Sequence, residues 1–139
     1  MARKCRLPKA VKAFIPEHQG TLLIAYFYHE AQKRTGRATV DEADFRYDGP
    51  VPQSRETAIV MLADACEAAL RSLQEVKPED ALLTVNKIFK ARWQDGQLVD
   101  SGLSRQEVSQ VAEVFIQVWQ QFNHQRIRYP ATTPAVKGS

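Results

Sequence analysis

Apolar residues recur at helical spacing along most of the chain. Between Ser54 and Leu73, SRETAIVMLADACEAALRSL, the positions Ile59, Leu62, Ala63, Cys66, Leu70 and Leu73 fall on one wide face. That spacing predicts a helix with Ser54 as its cap. Val60, Met61 and Ala68 make the flanks apolar too, so the helix is expected to be buried most of the way round, with Asp64 inside it. Burying a carboxylate costs roughly several kcal/mol unless it is paired or bound to a cation. Aspartate is also a poor helix-interior residue. Two explanations stand: a solvated face on which Asp64 lies near the Glu67 and Arg71 pair, or a ligand role whose partners lie elsewhere.

The remaining periodic segments also read as helices. Leu7-Pro8 breaks the pattern near the start, and Lys9 to Ile15 begins a second piece with Val11, Phe14 and Ile15 on one side. The first piece, from Ala2, has no capping residue before it, as though a helix were entered partway along. Gly20 can end a helix and Thr21 can cap the next, over Leu22 to Lys33, which places His18 at a junction. Residues 34–53 hold Gly36, Gly49, Pro50 and Pro52 and read as a long loop pinned by Phe45 and Tyr47. Pro78, Glu79 and Asp80 suit a first turn, and Leu82, Val85, Ile88, Phe89 and Trp93 form a buried edge that Asp95-Gly96 stops. Ser104 and Glu107 make a capping box ahead of Val108, Val111, Ala112, Phe115, Val118, Trp119 and Phe122, a stripe expected to be core. His124, Arg126, Arg128 and Tyr129 close that helix, and 131–139 is expected to be a disordered tail. No stretch alternates like a strand, so the fold class is all-α, with about five or six helices.

Composition narrows the function. At 139 residues, 44% hydrophobic and 25% charged, the chain suits one soluble domain. No apolar run approaches the roughly 20 residues that span a bilayer. Cys5 and Cys66 give neither a metal spacing nor a disulfide framework, which suits reduced thiols in the cytoplasm. The net charge of +3 gathers before residue 38, where Lys and Arg outnumber Glu17 and Glu30. Nucleic-acid binding is not expected, because the dense basic and aromatic interleaving of single-strand binders is absent.

Four separated stretches, IPEHQGTLLIAYFYHEA, FRYDGPVPQSRETAIVMLADACEAALRSL, KIFKARWQDGQL and FNHQRIRYP, fall in the order of successive motifs of the HD-domain phosphohydrolases. From about Ala2 to Pro130 the chain resembles the intracellular domain of the seven-transmembrane HD proteins that hydrolyse cyclic di-AMP, and cyanobacterial members most. The resemblance implies an HD-domain-like helical bundle over 1–130, N-terminally incomplete. It implies a divalent metal centre, commonly manganese or iron, with a cyclic dinucleotide as substrate. His18 matches the first histidine of the family's His-His-Gly-Thr segment, and Asp64 matches the aspartate of its Leu-Ala-Asp helix, so both are implied metal ligands. Arg55, Arg71 and Arg126 are candidates for phosphate contact, because a guanidinium can grip phosphate through two hydrogen bonds.

Two departures qualify the resemblance. Gln19 stands where the family has a second histidine, and a neutral amide is a weaker ligand than imidazole. The family's leading histidine, its His-Asp pair and its next histidine have no counterpart in these residues. A dinuclear centre is therefore not expected from this chain alone. The expected function is the C-terminal portion of a cyclic-dinucleotide phosphodiesterase, inactive by itself, with a missing-half partner or a second copy as possible company. The alternative is a non-catalytic helical interaction module. Either way apolar surface should be uncovered, from Leu22, Leu23 and Phe27 or from the Asp64 face.

Overall fold

The computed structural model describes residues 7–36, 40–73 and 76–138, with side chains described as far as Asn123. Its elements are α1 (Lys9–Lys12), α2 (Phe14–Glu17), α3 (Ala25–Thr35), a 3-10 turn at Glu42–Phe45, α4 (Arg55–Ser72), α5 (Pro78–Gln94) and α6 (Arg105–Gly138). The all-α expectation holds, with no strand beyond one isolated antiparallel bridge between Leu23 and Arg46 among the described residues. Any helix that Ala2 begins, and the basic run to Arg6, lie outside the described residues. So do the side chains of Arg126 and of the tail expected from residue 131.

Local chemistry sets the long helices as expected. Ser54 accepts from the Thr57 N–H and Thr57 reaches back to the Ser54 N–H, closing a capping box on α4. Pro78 sits in the first turn of α5, where no N–H is needed, with Glu79 and Asp80 at its positive end. Glu107 donates its N–H to Ser104 Oγ at 3.1 Å and accepts from the Ser104 N–H at 3.3 Å, capping α6.

Helix α5 packs against both α4 and α6. The core between them is built from Leu62, Cys66 and Leu70 of α4, Val85 and Phe89 of α5, and Val108, Ala112 and Ile116 of α6. Phe89 meets Phe115 edge to face at 5.6 Å, a geometry that aromatic quadrupoles favour. Burial pushes the Cys66 thiol up to about 12, against the opposing charge of Arg92, so this cysteine is packing rather than a nucleophile.

Several expected core positions lie at the surface instead. Leu82 of α5 and Leu73 at the end of α4 are exposed, as are Val118 and Phe122 of α6. On α5 the core side is Ala81, Val85 and Phe89, so the buried stripe is rotated away from Leu82. On α6, Ile116, which the aromatic stripe passes over, is buried in place of Val118. Thr21 does not cap α3, which begins at Ala25 behind Ile24 with no side-chain cap. Residues 22–24 run extended, since the Ile24 N–H bonds to Phe45 O and the Tyr47 N–H bonds to Leu22 O. Those two bonds draw the 40–53 loop against the turn that carries His18.

Candidate functional site

The sequence presents His18 at the end of α2, and a buried neighbour explains why it sits where it does. Glu17 accepts from the Gln53 N–H at 2.8 Å and from Thr57 Oγ1 at 2.9 Å. Its carboxylate thereby meets the N-terminus of α4, where an anion is favoured. Neither contact is visible in the spacing of apolar residues.

His18 itself is half-buried, and its Nδ1 lies 2.7 Å from Phe14 O. A carbonyl oxygen only accepts, so Nδ1 carries the proton in that bond. The neutral ring then keeps its lone pair on Nε2, the arrangement that orients a histidine for metal binding.

Asp64 does not meet the sequence expectation of burial, and its exposure agrees with the solvated-face alternative, on which Glu67 and Arg71 pair. It is exposed, as are Val60 and Ala68 beside it. Thr57 and Asp64 are two turns apart, which puts them within about 20° of the same helix face and ~10 Å apart along the axis. On that face Thr57 is buried against Glu17 and Met61 is buried beside Gly20 of the turn after α2, whereas Asp64 is exposed. His18 bonds within α2, to Phe14 O, and Asp64 lies on an exposed stretch of α4.

The arginines separate. Arg71 pairs with Glu67 at 3.3 Å and lies on the Asp64 side of α4, again two turns on. Arg55 is on the opposite side, where it reaches Glu107 of α6 at 3.4 Å and Gly102 O at 3.4 Å. Arg55 and Arg71 stand ~24 Å apart along the axis, so they do not converge on one phosphate. Among the described residues no three His, Cys, Asp or Glu side chains come together to hold a metal ion. His18 and Asp64 are suitable donors, but two donors do not make a catalytic metal site.

The turn behind His18 is held by residues that sequence reading passed over. Arg46 reaches Asp95 through both terminal nitrogens at 3.1 Å and donates to Thr21 O at 2.8 Å. Gln97, fully buried, accepts from the Thr21 N–H at 3.0 Å and donates to Thr21 Oγ1 and to Asp95 Oδ2, each at 2.9 Å. Desolvation works to raise the Asp95 carboxyl, but hydrogen bonds from Arg46 and Gln97 and the charges of Arg46 and Arg92 outweigh it and hold it low. A depressed folded value means that the stabilisation exists above the ordinary carboxylate range and is lost as pH falls through the folded value. Thermal melts should therefore drop below about pH 4, and drop less steeply in D95N, which has no charge left to neutralise.

Comparison with known proteins sets this geometry in context. No family model matches the chain. An uncharacterized protein of Synechocystis is 62% identical over 133 residues, 94% of this chain and 16% of that protein. The cyclic-di-AMP phosphodiesterase PgpH of Bacillus subtilis is 36% identical over 137 residues, 99% of this chain and 19% of that one. The PgpH HD domain of Listeria monocytogenes, solved in complex with cyclic-di-AMP, superposes with a TM-score of 0.82 at 31% identity. That match covers 87% of this chain and 56% of the solved one. The chain thus spans less than a fifth of the length of the curated relatives and about half of the solved domain.

Proposed function

We propose, on the premise that this chain is homologous to part of the PgpH HD domain, that it is the C-terminal portion of a metal-dependent phosphodiesterase for cyclic dinucleotides. The superposition on an HD domain solved with cyclic-di-AMP carries this reading. Kinship with HD-domain phosphodiesterases implies a divalent metal, and manganese or iron is the metal proposed. His18 would give it the Nε2 lone pair and Asp64 a carboxylate oxygen, while the other ligands come from outside these 139 residues. The metal, when bound, supplies Lewis acidity toward a phosphate oxygen. Of the two described arginines, Arg71 has the better position for an anion near Asp64, and Arg126 is kept as a second candidate. Arg55 serves the α4–α6 contact. The cytoplasm is the compartment proposed, and among the described residues no helix is long and apolar enough to cross a membrane. A non-catalytic interaction module is less favoured, although Tyr26 and Phe27 of α3 do present exposed apolar surface.

Titrating Mn2+ into the 139-residue chain tests the reading by paramagnetic line broadening. Signals of the His18 ring and of Asp64 should broaden together at the same metal concentration, and D64N should abolish the effect at His18. Cyclic di-AMP should not turn over. Broadening spread over acidic surface residues and indifferent to D64N would remove the ligand assignment, and brisk turnover by this chain would remove the account of outside ligands.

A further inference from the structure

Helices α5 and α6 leave a groove of about 200 Å³ between them. Its floor is Phe89, Val108 and Ala112, all buried, and the half-buried Trp93 forms a wall. None of the described lining residues comes from α2 or α4, so the groove is built without the helices that carry His18 and Asp64. A cavity of about 150 Å³ can hold a benzene molecule, which gives this groove room for one ring and a small substituent.

The rim is cationic. Lys90 and Arg105 stand at it, and no acidic side chain among the described residues lines the groove. Helical spacing leaves both charges unmatched. Three and four residues from Lys90 lie Lys87, Asn86, Trp93 and Gln94, and three and four residues after Arg105 lie Val108 and Ser109. Neither cation therefore has an acid where helices pair charges. Glu107, the acid nearest Arg105 in sequence, is taken by Arg55 and by the Ser104 N–H. Among the described residues neither Lys90 nor Arg105 makes an ion pair. Arg105 holds its guanidinium carbon 5.9 Å from the centre of the Trp93 ring, within cation–π range. Stacking uses the flat face of a guanidinium and leaves the N–H groups along its edge to grip a carboxylate.

We propose that this groove binds a small aromatic carboxylate, with its ring on Phe89, Val108 and Ala112 beside Trp93 and its charge between Lys90 and Arg105. The apolar floor selects the ring, and the two unmatched cations select the carboxylate. The site stands apart from the metal reading above and does not depend on it.

Titrating phenylacetate into the 139-residue chain, followed by NMR, tests the proposal. The Trp93 indole N–H and the Val108 methyl signals should shift together and saturate. Phenylacetamide, the same ring without the charge, should bind about tenfold more weakly, the loss that goes with one hydrogen bond to a charged group. Acetate, the charge without the ring, should leave both signals in place. K90Q and R105Q remove charge while keeping a long side chain, and each should weaken phenylacetate by about as much as the amide does. K33Q, at an exposed lysine of α3, should not. Equal binding of phenylacetamide would make the groove a seat for any ring and overturn the proposal. So would a loss in K33Q equal to that in K90Q, which would mean diffuse charge attraction. Signals that move with protein concentration alone would show a second copy covering the groove, and the proposal would fall, as it would if neither signal shifted.

Discussion

G20A is expected to destabilise the chain by about 2–5 kcal/mol, combining backbone strain with overpacking. Gly20 holds φ +55, a left-handed conformation that an L side chain adopts at a penalty of roughly 1–2 kcal/mol. Space is the second problem. The new methyl would press on Gln97 Oε1 at 2.5 Å and on Met61 Cε at 2.7 Å, and both side chains are fully buried. Met61 can bend at its flexible end, but Gln97 is tied to Thr21 and Asp95 by three hydrogen bonds and cannot yield without breaking one. Overpacking of this kind adds about 1–3 kcal/mol. Gly96 is the control, because it also has positive φ, +76, and a methyl added there would meet nothing within 4 Å. G96A should lose only the backbone part. Urea unfolding of the two variants separates the terms, and equal losses would mean that the turn is not wedged against Gln97.

The helices were legible because their signals are local. Ser54 and Thr57, Ser104 and Glu107, and Pro78 act within a turn of themselves, and the apolar period of 3.6 needs no knowledge of what covers it. Which face is covered is a different matter. Asp64 sits among apolar neighbours in sequence, yet on that side of α4 only Thr57 and Met61, held beside Glu17 and Gly20, are buried and Asp64 is exposed. Burial of a helix face is decided by the length of its neighbour, and periodicity holds no record of that length. Val118 fails for a related reason, since Ala112, Ile116 and Trp119 set the packed face of α6 and Val118 lies off it. Phe27, by contrast, is exposed as expected, while Leu22 and Leu23 are only half-exposed because their backbone joins the 45–47 segment.

The candidate site was legible in its donors and not in its supports. His18 and Asp64 came from motif resemblance, which fixes residue types at positions along the chain. Glu17, Arg46 and Gln97 reach Gln53, Asp95 and Thr21, which lie 36, 49 and 76 positions away in sequence. A buried glutamine just past a helix stop looks like any loop residue until its partner is known. One weak signal was present. Asp95, Gly96 and Gln97 place two side chains with polar ends where a simple helix stop needs only the glycine.

Grafting residues 7–130 into the HD domain of Listeria monocytogenes PgpH in place of the matching segment should give a hybrid that hydrolyses cyclic di-AMP with Mn2+. In that hybrid, if His18 and Asp64 are the metal ligands proposed above, H18A and D64N should each lower turnover by about 100-fold or more, whereas losing outer-shell support alone typically weakens metal binding 10–100-fold. The arginines should divide as their positions do. R71A, on the Asp64 side of α4, should raise KM with a smaller effect on kcat, as expected for a phosphate contact. R55A should leave both unchanged, since its partners Glu107 and Gly102 lie on the far side, and an exposed pair of this kind contributes about 1 kcal/mol or less to stability. Gln19 gives the sharpest reading. An amide there is a poor ligand, so Q19H should tighten Mn2+ binding in the hybrid, while Q19A should change it little. A hybrid that is active and indifferent to H18A would show that the metal is held without this chain's imidazole, and the assignment of His18 would fail with it.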